Sequence, residues 1–386
     1  MVRLSRAQQQ ERTRAAVLTA AKAEFSERGY AAAKIDEIAE RAELTRGAVY
    51  SNFPSKRALY LAVLADMADP AEVTGMADTA DTADVTGVAE ALGAFARARL
   101  ERVPLTGDAP AFGQVQSRSL AGVLDDEPIR TAFGQVTRLE ALLLALALES
   151  RTPDGVRPVR QVRRAELVLR LLDGPGASVD PALVSGDPFD VAHACAHLGD
   201  LALADAWDPP HLPYVPAAQP CGEPWSPPDE MPDLITGRPV GFDEDGVIVL
   251  LGSHRLEAAE ESVRAARAGD RITVAVTTAD PAETGRLVRL RIDDFARCLR
   301  RVFAPEAWPR LRVVLDDRGL LASAVGVPNA DDAAEHAVRV RQSALVARAQ
   351  GRGAAHAVTA AAAATVAAAG RTDPFLSRTS PDGTAP

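Results

Sequence analysis

The chain has 386 residues, 47% of them apolar and only 4% aromatic, with a formal net charge of −10. That length exceeds one ordinary domain of about 150 residues and predicts two or three. The acid excess argues against a polyanion-binding surface along the whole chain, and three scattered cysteines (Cys195, Cys221, Cys298) with no CxxC pair exclude a disulfide framework and a zinc ribbon.

The charge is uneven. Residues 1–68 carry eleven Lys or Arg against eight Asp or Glu, so a local +3 is joined to a remainder of −13. A basic end on an acidic body predicts that only the N-terminus meets a polyanion. The opening MVRLSRAQQQERTR has no apolar stretch of the signal-peptide kind. The Ala-rich run AAHAVTAAAAATVAAA is too weakly apolar for a convincing membrane span. The expected setting is cytoplasmic, with no membrane partner.

Residues 8–28 predict a helix, because Val17, Ala21 and Phe25 recur every four positions, and Gly29 is its expected stop. A short second helix follows in KIDEIAERA, with Ile35, Ile38 and Ala39 inward. Thr45 is a good N-cap for a third helix running to about Phe53. Pro54 ends it, and Ser55 caps a fourth, KRALYLAVLADMA. Two short helices joined by a tight turn and packed on another make a helix-turn-helix, whose second helix enters the major groove. Gly47 and Ala48 permit close approach to DNA. Thr45, Tyr50 and Ser51 offer hydroxyls to phosphate, and Lys56 joins a helix N-terminus. Val49, Phe53, Leu59 and Tyr60 read as core.

These residues resemble a known pattern. Over residues 12–64 the chain is similar to the DNA-binding domain of the tetracycline-repressor (TetR/AcrR) family. The F-x-x-x-G-[YF] motif is Phe25, Gly29 and Tyr30, and the I-A pair is Ile38 and Ala39. The G-x-[LIV]-Y-x-x-F motif is Gly47, Val49, Tyr50 and Phe53, and K-x-x-L is Lys56 and Leu59. The resemblance implies DNA contacts by Thr45, Arg46, Gly47, Tyr50, Ser51, Asn52 and Lys56, with Arg46 and Asn52 reading bases. It further implies a homodimer on a palindromic operator, repression, and control by an unidentified small-molecule effector. The sequence departs from the family at two places: Ala33-Lys34 replaces the usual Thr-Thr or Thr-Ser, and Glu43 replaces the frequent turn glycine.

Beyond the low-complexity DPAEVTGMADTADTADVTGVAEAL, helical patterns resume at about 88–102, 110–124, 127–150, 157–173 and 188–207. By the resemblance, the last two form the dimer interface. Phe95, Phe112, Gln116 and Phe133 are candidate pocket residues, with core packing the alternative for the phenylalanines. His193 and His197, at i and i+4, are a helical pair without an evident third ligand, so no metal site is expected.

Nine prolines fall within residues 208–233, which predicts an extended connector. After it the pattern alternates: GVIVLLG, RITVAVTT and LRVVLDD read as strands, with helices between them, then a hairpin (HAVRV, ALVARAQ) and a closing helix. That order resembles the thioredoxin fold, and VVLDDRGLLASAVGVP carries Asp317, Gly319, Ala322 and Gly326-Val327 of a thioredoxin-like motif. Where thioredoxins place CxxC, this chain has GSHRLEAAEE, which rules out dithiol exchange.

The expected fold is therefore a mostly α N-terminal two-thirds followed by a smaller α/β thioredoxin-like domain. The expected boundaries are 1–66 DNA-binding, 67–207 effector-binding and dimerisation, 208–235 linker, 236–370 α/β and 371–386 disordered tail. No catalytic set and no cofactor is expected. A DNA-tethered enzyme, or a partner-docking role for the α/β domain, stays open as the alternative.

Overall fold

The computed structural model describes residues 5–67, 87–101, 122–152, 159–173, 187–207, 215, 217–267, 269–308 and 310–369, with side chains to residue 361. Residues 69–86 of the low-complexity connector, most of the 110–124 segment with Phe112 and Gln116, Tyr214 and the 371–386 tail lie outside these residues, whereas the connector's last residues, from Val88, begin a helix.

Four helices come first: α1 Arg6–Ala32, α2 Ile35–Arg41, α3 Arg46–Asn52 and α4 Lys56–Met67. Their core holds Val17, Ala21, Phe25, Ile38, Val49, Phe53 and Leu59, the residues that periodicity placed inward. Tyr60 is fully buried in an aromatic group with Phe25 and Tyr30, at centroid distances of 5.0 and 5.1 Å.

Four further helices follow: α5 Val88–Leu100, α6 Glu127–Glu149, α7 Val162–Asp173 and α8 Pro188–His197. Helix α8 packs on α5, and α7 packs on α6. The helix expected over 188–207 ends early. Gly199 lies so close to the start of α5 that a Cβ there would stand 2.3 Å from Ala89 Cα. Asp205 then accepts the Val162 N–H at 2.8 Å and pairs with Arg264 at 2.6 Å. Helix α6 is long and apolar enough to cross a membrane by composition, but two-thirds of the residues in that window are buried inside the protein.

The proline-rich segment is more than a connector. Gln219–Pro224 forms β1, an edge strand, where proline's missing N–H is tolerated. Trp225 is buried and donates its Nε1–H to Phe242 O at 2.6 Å. The two-residue strands β2 Met231–Pro232 and β3 Pro239–Val240 then pair with each other. The main sheet comprises β1, β4 Gly246–Gly252, β5 Ile272–Thr277, β6 Leu311–Leu315, β7 Glu335–Arg341 and β8 Ala344–Gln350, in the order β1-β8-β7-β4-β5-β6. Strands β4, β5 and β6 are parallel, and β7 is antiparallel to β4. Helices α9 Ala258–Ala265 and α10 Arg286–Arg300 are the crossovers, the latter preceded by a π-turn at Pro281–Gly285. Helix α11 Leu320–Ala324 and helix α12 Ala354–Ala369 complete the chain. Gln342 and Ser343, both at positive φ, make the β7–β8 turn.

Both faces of β4 are covered, which explains its unbroken apolar run. Val247, Val249 and Leu251 face one cluster, whereas Ile248 and Leu250 face Trp225, Phe242 and Leu321 in the other. The first cluster is continuous with α5–α8. Phe95 of α5 meets Phe295 of α10 edge-to-face at 5.5 Å, and Trp308 donates to Leu143 O of α6 at 2.9 Å. The helices before the prolines and the sheet after them thus share one core.

A charged seam crosses the same boundary. Arg99 reaches Asp173 at 3.1 Å and Asp294 at 3.0 Å, and Arg291 reaches Glu140 at 2.7 Å while lying over the Phe133 ring. Phe95 and Phe133 are accordingly packing residues.

Candidate nucleic-acid interface

Helix α1 is kinked at Gly29, whose φ of 71° suits glycine, and continues to Ala32. Lys34 follows as the N-cap of α2 but makes no side-chain cap. Buried Glu24 meets this helix start instead: its carboxylate accepts the Lys34 N–H at 3.4 Å and pairs with Arg28 and Arg41. The Lys34 side chain is left on the surface.

The turn before α3 passes through Glu43 at φ 55°, with the Leu44 N–H donating to Ala39 O at 2.9 Å. This is the left-handed conformation that glycine adopts freely and a glutamate adopts under strain. Thr45 then caps α3, its hydroxyl accepting the Ala48 N–H at 3.2 Å. Within α3 only Val49 is buried.

The opposite face of α3 presents Thr45, Arg46, Gly47, Tyr50 and Ser51 to the outside. A Cβ at Gly47 would meet nothing nearer than Thr45 Oγ1 at 3.9 Å, so the protein's own packing does not require glycine there. Arg46 lies 5.5 Å from the Tyr50 ring centroid and 3.4 Å from Asp36 Oδ1. The Tyr50 hydroxyl and the Asp36 carboxylate both favour its charged form and raise its pKa.

Two predicted contacts are engaged within the protein. Asn52 donates one amide hydrogen to Ala48 O at 2.9 Å, which fixes the side chain against the helix while its second N–H and its Oδ1 keep their own bonding capacity. Lys56 donates to Ala31 O at 3.2 Å and lies 4.9 Å from the Tyr30 ring centroid, and burial lowers its pKa. Lys56 therefore ties α4 to the end of α1 as well as standing at the helix start. Ser55 caps α4 through the Ala58 N–H at 2.9 Å.

Three participants escaped the sequence reading. Arg14 of α1 lies 4.4 Å from the Phe53 ring centroid and donates to Asn52 O, steadying the end of α3. Lys34 stood in the sequence only as a departure. Glu283, in the π-turn before α10, accepts from Ser55 and pairs with Arg57 at 3.0 Å. Arg286 donates to Ala58 O at 3.0 Å, and Leu287 is part of the N-terminal core. No local pattern in residues 281–287 announces these contacts.

Away from this face, the His193 and His197 rings lie 4.5 Å apart, tilted by 48°. Among the described residues no group of three or more His, Cys, Asp or Glu is placed to hold a metal. Cys195 is buried, which pushes its thiol up to about 11, the opposite of an activated nucleophile. After β4, Ser253 donates to Asp332 at 2.7 Å and His254 Nε2 lies 3.0 Å from Pro128 O.

Comparison with known proteins agrees with the geometry of the first four helices. Residues 17–63 match the family described as "Bacterial regulatory proteins, tetR family". Over 56 residues, 14% of this chain, the sequence is 48% identical to the HTH-type transcriptional activator FasR of Mycolicibacterium smegmatis (strain ATCC 700084 / mc(2)155). The match spans about a quarter of that relative's length (26%). Residues 17–63, with a capped α3 presenting an open polar face, thus form a helix-turn-helix domain of the TetR type.

Proposed function

We propose that the chain is a sequence-specific transcriptional regulator that binds a palindromic operator as a homodimer in the cytoplasm, acts by default as a repressor, and changes DNA affinity when a small-molecule effector binds. The observation that carries this reading is the exposed face of α3, with Thr45, Arg46, Gly47, Tyr50 and Ser51 together on it. On this reading Arg46 and Asn52 read base edges, and Thr45, Tyr50, Ser51 and Lys56 hold phosphates.

A second observation favours the dimer. Val159, Leu167, Leu171 and Phe189 are 67%, 37%, 42% and 80% exposed, all on or beside α7 and α8. A single recognition helix contacts few bases, and pairing two half-sites one DNA turn apart supplies the missing affinity. We further propose that residues 236–370 are a thioredoxin-like domain without dithiol chemistry. The parallel β4-β5-β6 order, the antiparallel β7–β8 hairpin and the closing helix support that assignment.

The test is selection of bound duplexes from a random pool, followed by mass measurement with and without DNA. A palindromic consensus bound by two copies supports the reading. Leu167→Asp with Leu171→Asp should then give a monomer with sharply weaker operator binding. Absence of any enriched sequence would sink it. In a reporter strain, a DNA-binding-dead variant raises expression for a repressor and lowers it for an activator.

A further inference from the structure

Helix α10 has two faces. Leu287, Val288, Ile292, Phe295 and Leu299 are buried in the protein. Arg286, Arg289, Asp293, Arg297 and Arg300 recur at three- and four-residue spacing, so they form a separate stripe. On an ordinary surface helix such a stripe meets bulk water. Here it lines a concavity of about 310 Å³, bounded by Ala65 of α4 on one side and the Pro232–Gly237 loop on the other. All four arginines are half-buried.

The lining is unbalanced in charge. Four guanidiniums face two carboxylates, Asp233 and Asp293. The Asp233 carboxylate already accepts the N–H groups of Ile235, Thr236 and Val313 and the Thr236 hydroxyl. Asp293 lies among Arg289, Arg297 and Arg300, but its burial favours the neutral acid. Arg286 donates to Ala58 O and Arg300 to Ile235 O, and burial disfavours the charge on both. Arg289 lies 3.6 Å from Asp317, outside the groove.

Gathering like-charged guanidiniums in a half-dry groove is costly unless an anion joins them. The guanidinium fork matches the paired oxygens of phosphate and carboxylate. A space of this size is at the lower end of small-molecule sites. We propose that the groove between α4 and α10 binds a small polyanion, a compound with at least two phosphate or carboxylate groups. The groove reaches Ala65, nine residues beyond Lys56, or about 13 Å along α4, so its occupant need not compete with DNA for the interface. The same stripe contains Arg286, which holds the α4 backbone at Ala58. An anion that draws Arg286 into the groove releases that hold and shifts α4 relative to the sheet. This effect on DNA affinity rests on the DNA-binding reading, whereas the binding of the anion does not.

The experiment titrates the full chain by calorimetry with inorganic pyrophosphate and, separately, citrate, at constant ionic strength and without DNA. We expect saturable one-to-one binding at sub-millimolar concentration for at least one of the two, and which one binds identifies the phosphate or carboxylate class. Arg289→Gln with Arg297→Gln should weaken that binding at least tenfold, and exposed Arg318→Gln should leave it unchanged. If the double variant fails to fold, the single Arg289→Gln carries the test, since 39% of that side chain is already exposed. No saturable binding of either anion, or equal binding by the variants, overturns the site. Weaker DNA binding by the double variant without anion, with a salt slope lower by about two, also overturns it and assigns the arginines to the DNA backbone. Operator affinity is then measured with and without the anion. A change present in wild type and absent in the variant supports the coupling. Unchanged affinity overturns the coupling and leaves the site standing.

Discussion

Arg57 of α4 and Glu283 of the π-turn before α10, 226 positions apart in the chain, are joined by a 3.0 Å ion pair. Both side chains are less than one-fifth exposed, and Asp126 at the start of α6 lies 3.3 Å from the same guanidinium. Glu283 also accepts from Ser55, the residue that caps α4. One carboxylate therefore touches the cap and the first turn of the helix that follows the recognition helix.

Glu283→Ala should destabilise the chain by about 1–3 kcal/mol, because it leaves Arg57 partly buried beside one remaining acid. A double-mutant cycle with Arg57→Ala should return a coupling energy of at least about 0.5 kcal/mol. Amide exchange in α4 should rise more than in the sheet. Strictly additive single effects, with unchanged α4 exchange, would remove the pair as a strut.

Glu43→Gly should raise stability by up to about 1 kcal/mol, since the residue sits at φ 55° and glycine takes that conformation without the side-chain clash. The change also removes an acid next to α3, so operator affinity should rise, most at low salt. Chemical denaturation and a salt series of binding curves check both halves.

Thr45→Ala should cost about 1 kcal/mol of stability through loss of the α3 cap. Arg46→Ala should leave stability essentially unchanged, as its pairing with Asp36 is on the surface and screened by solvent. It should weaken binding by about 1–3 kcal/mol and relax the base preference at one position in each half-site. A uniform loss across sequences would make Arg46 a phosphate contact.

Glu140 is fully buried, and desolvation pushes its carboxyl up to about 7 against the pull of Arg291 and Arg99. Two guanidiniums, Arg99 and Arg291, meet three carboxylates there, Glu140, Asp173 and Asp294, so one proton balances the group. The folded pKa lies above the ordinary 4.5, so the folded chain holds a proton that the unfolded chain has released. That contribution is complete below about 4.5 and lost as pH rises through 7. Wild type should therefore lose about 1–3 kcal/mol between pH 5 and 8 relative to Glu140→Gln. Glu261, also raised to about 7, supplies a remaining slope of the same sign. Urea midpoints across that range test the difference, and parallel curves would contradict it.

The local parts of this protein were readable from sequence because their causes are local. Thr45 and Ser55 announce helix starts by their hydroxyls, Gly29 announces a break, and Val17, Ala21 and Phe25 announce a buried face. Apolar runs between turn residues marked the strands in the same way: the first was read at its observed limits, 246–252, and the second as 271–278, one residue longer at each end than the observed 272–277. What sequence hid depends on partners far along the chain. The four-residue rule that makes α10 amphipathic gives no hint that its arginine stripe faces a groove. Proline density marked 208–233 as extended but not as carrying an edge strand for a sheet completed by residues 344–350. The strain at Glu43 was legible only as an unusual residue in the turn. Asn52 looked free to read bases, and only the folded helix shows its amide bonded to Ala48.

The meeting of Phe95 with Phe295 also has a consequence for how the chain is made. The two rings are 200 positions apart in the sequence. At about 5–20 residues per second, α5 waits about 10–40 s on the ribosome before α10 emerges to cover it. During that interval the DNA-binding helices can already be folded, while Phe95, Leu142 and their neighbours lack their lid. Premature release before residue 300 would yield a chain able to form its recognition helix but with a sticky, uncovered flank. Selection should therefore act on this protein's translation rate and chaperone access as well as on its operator.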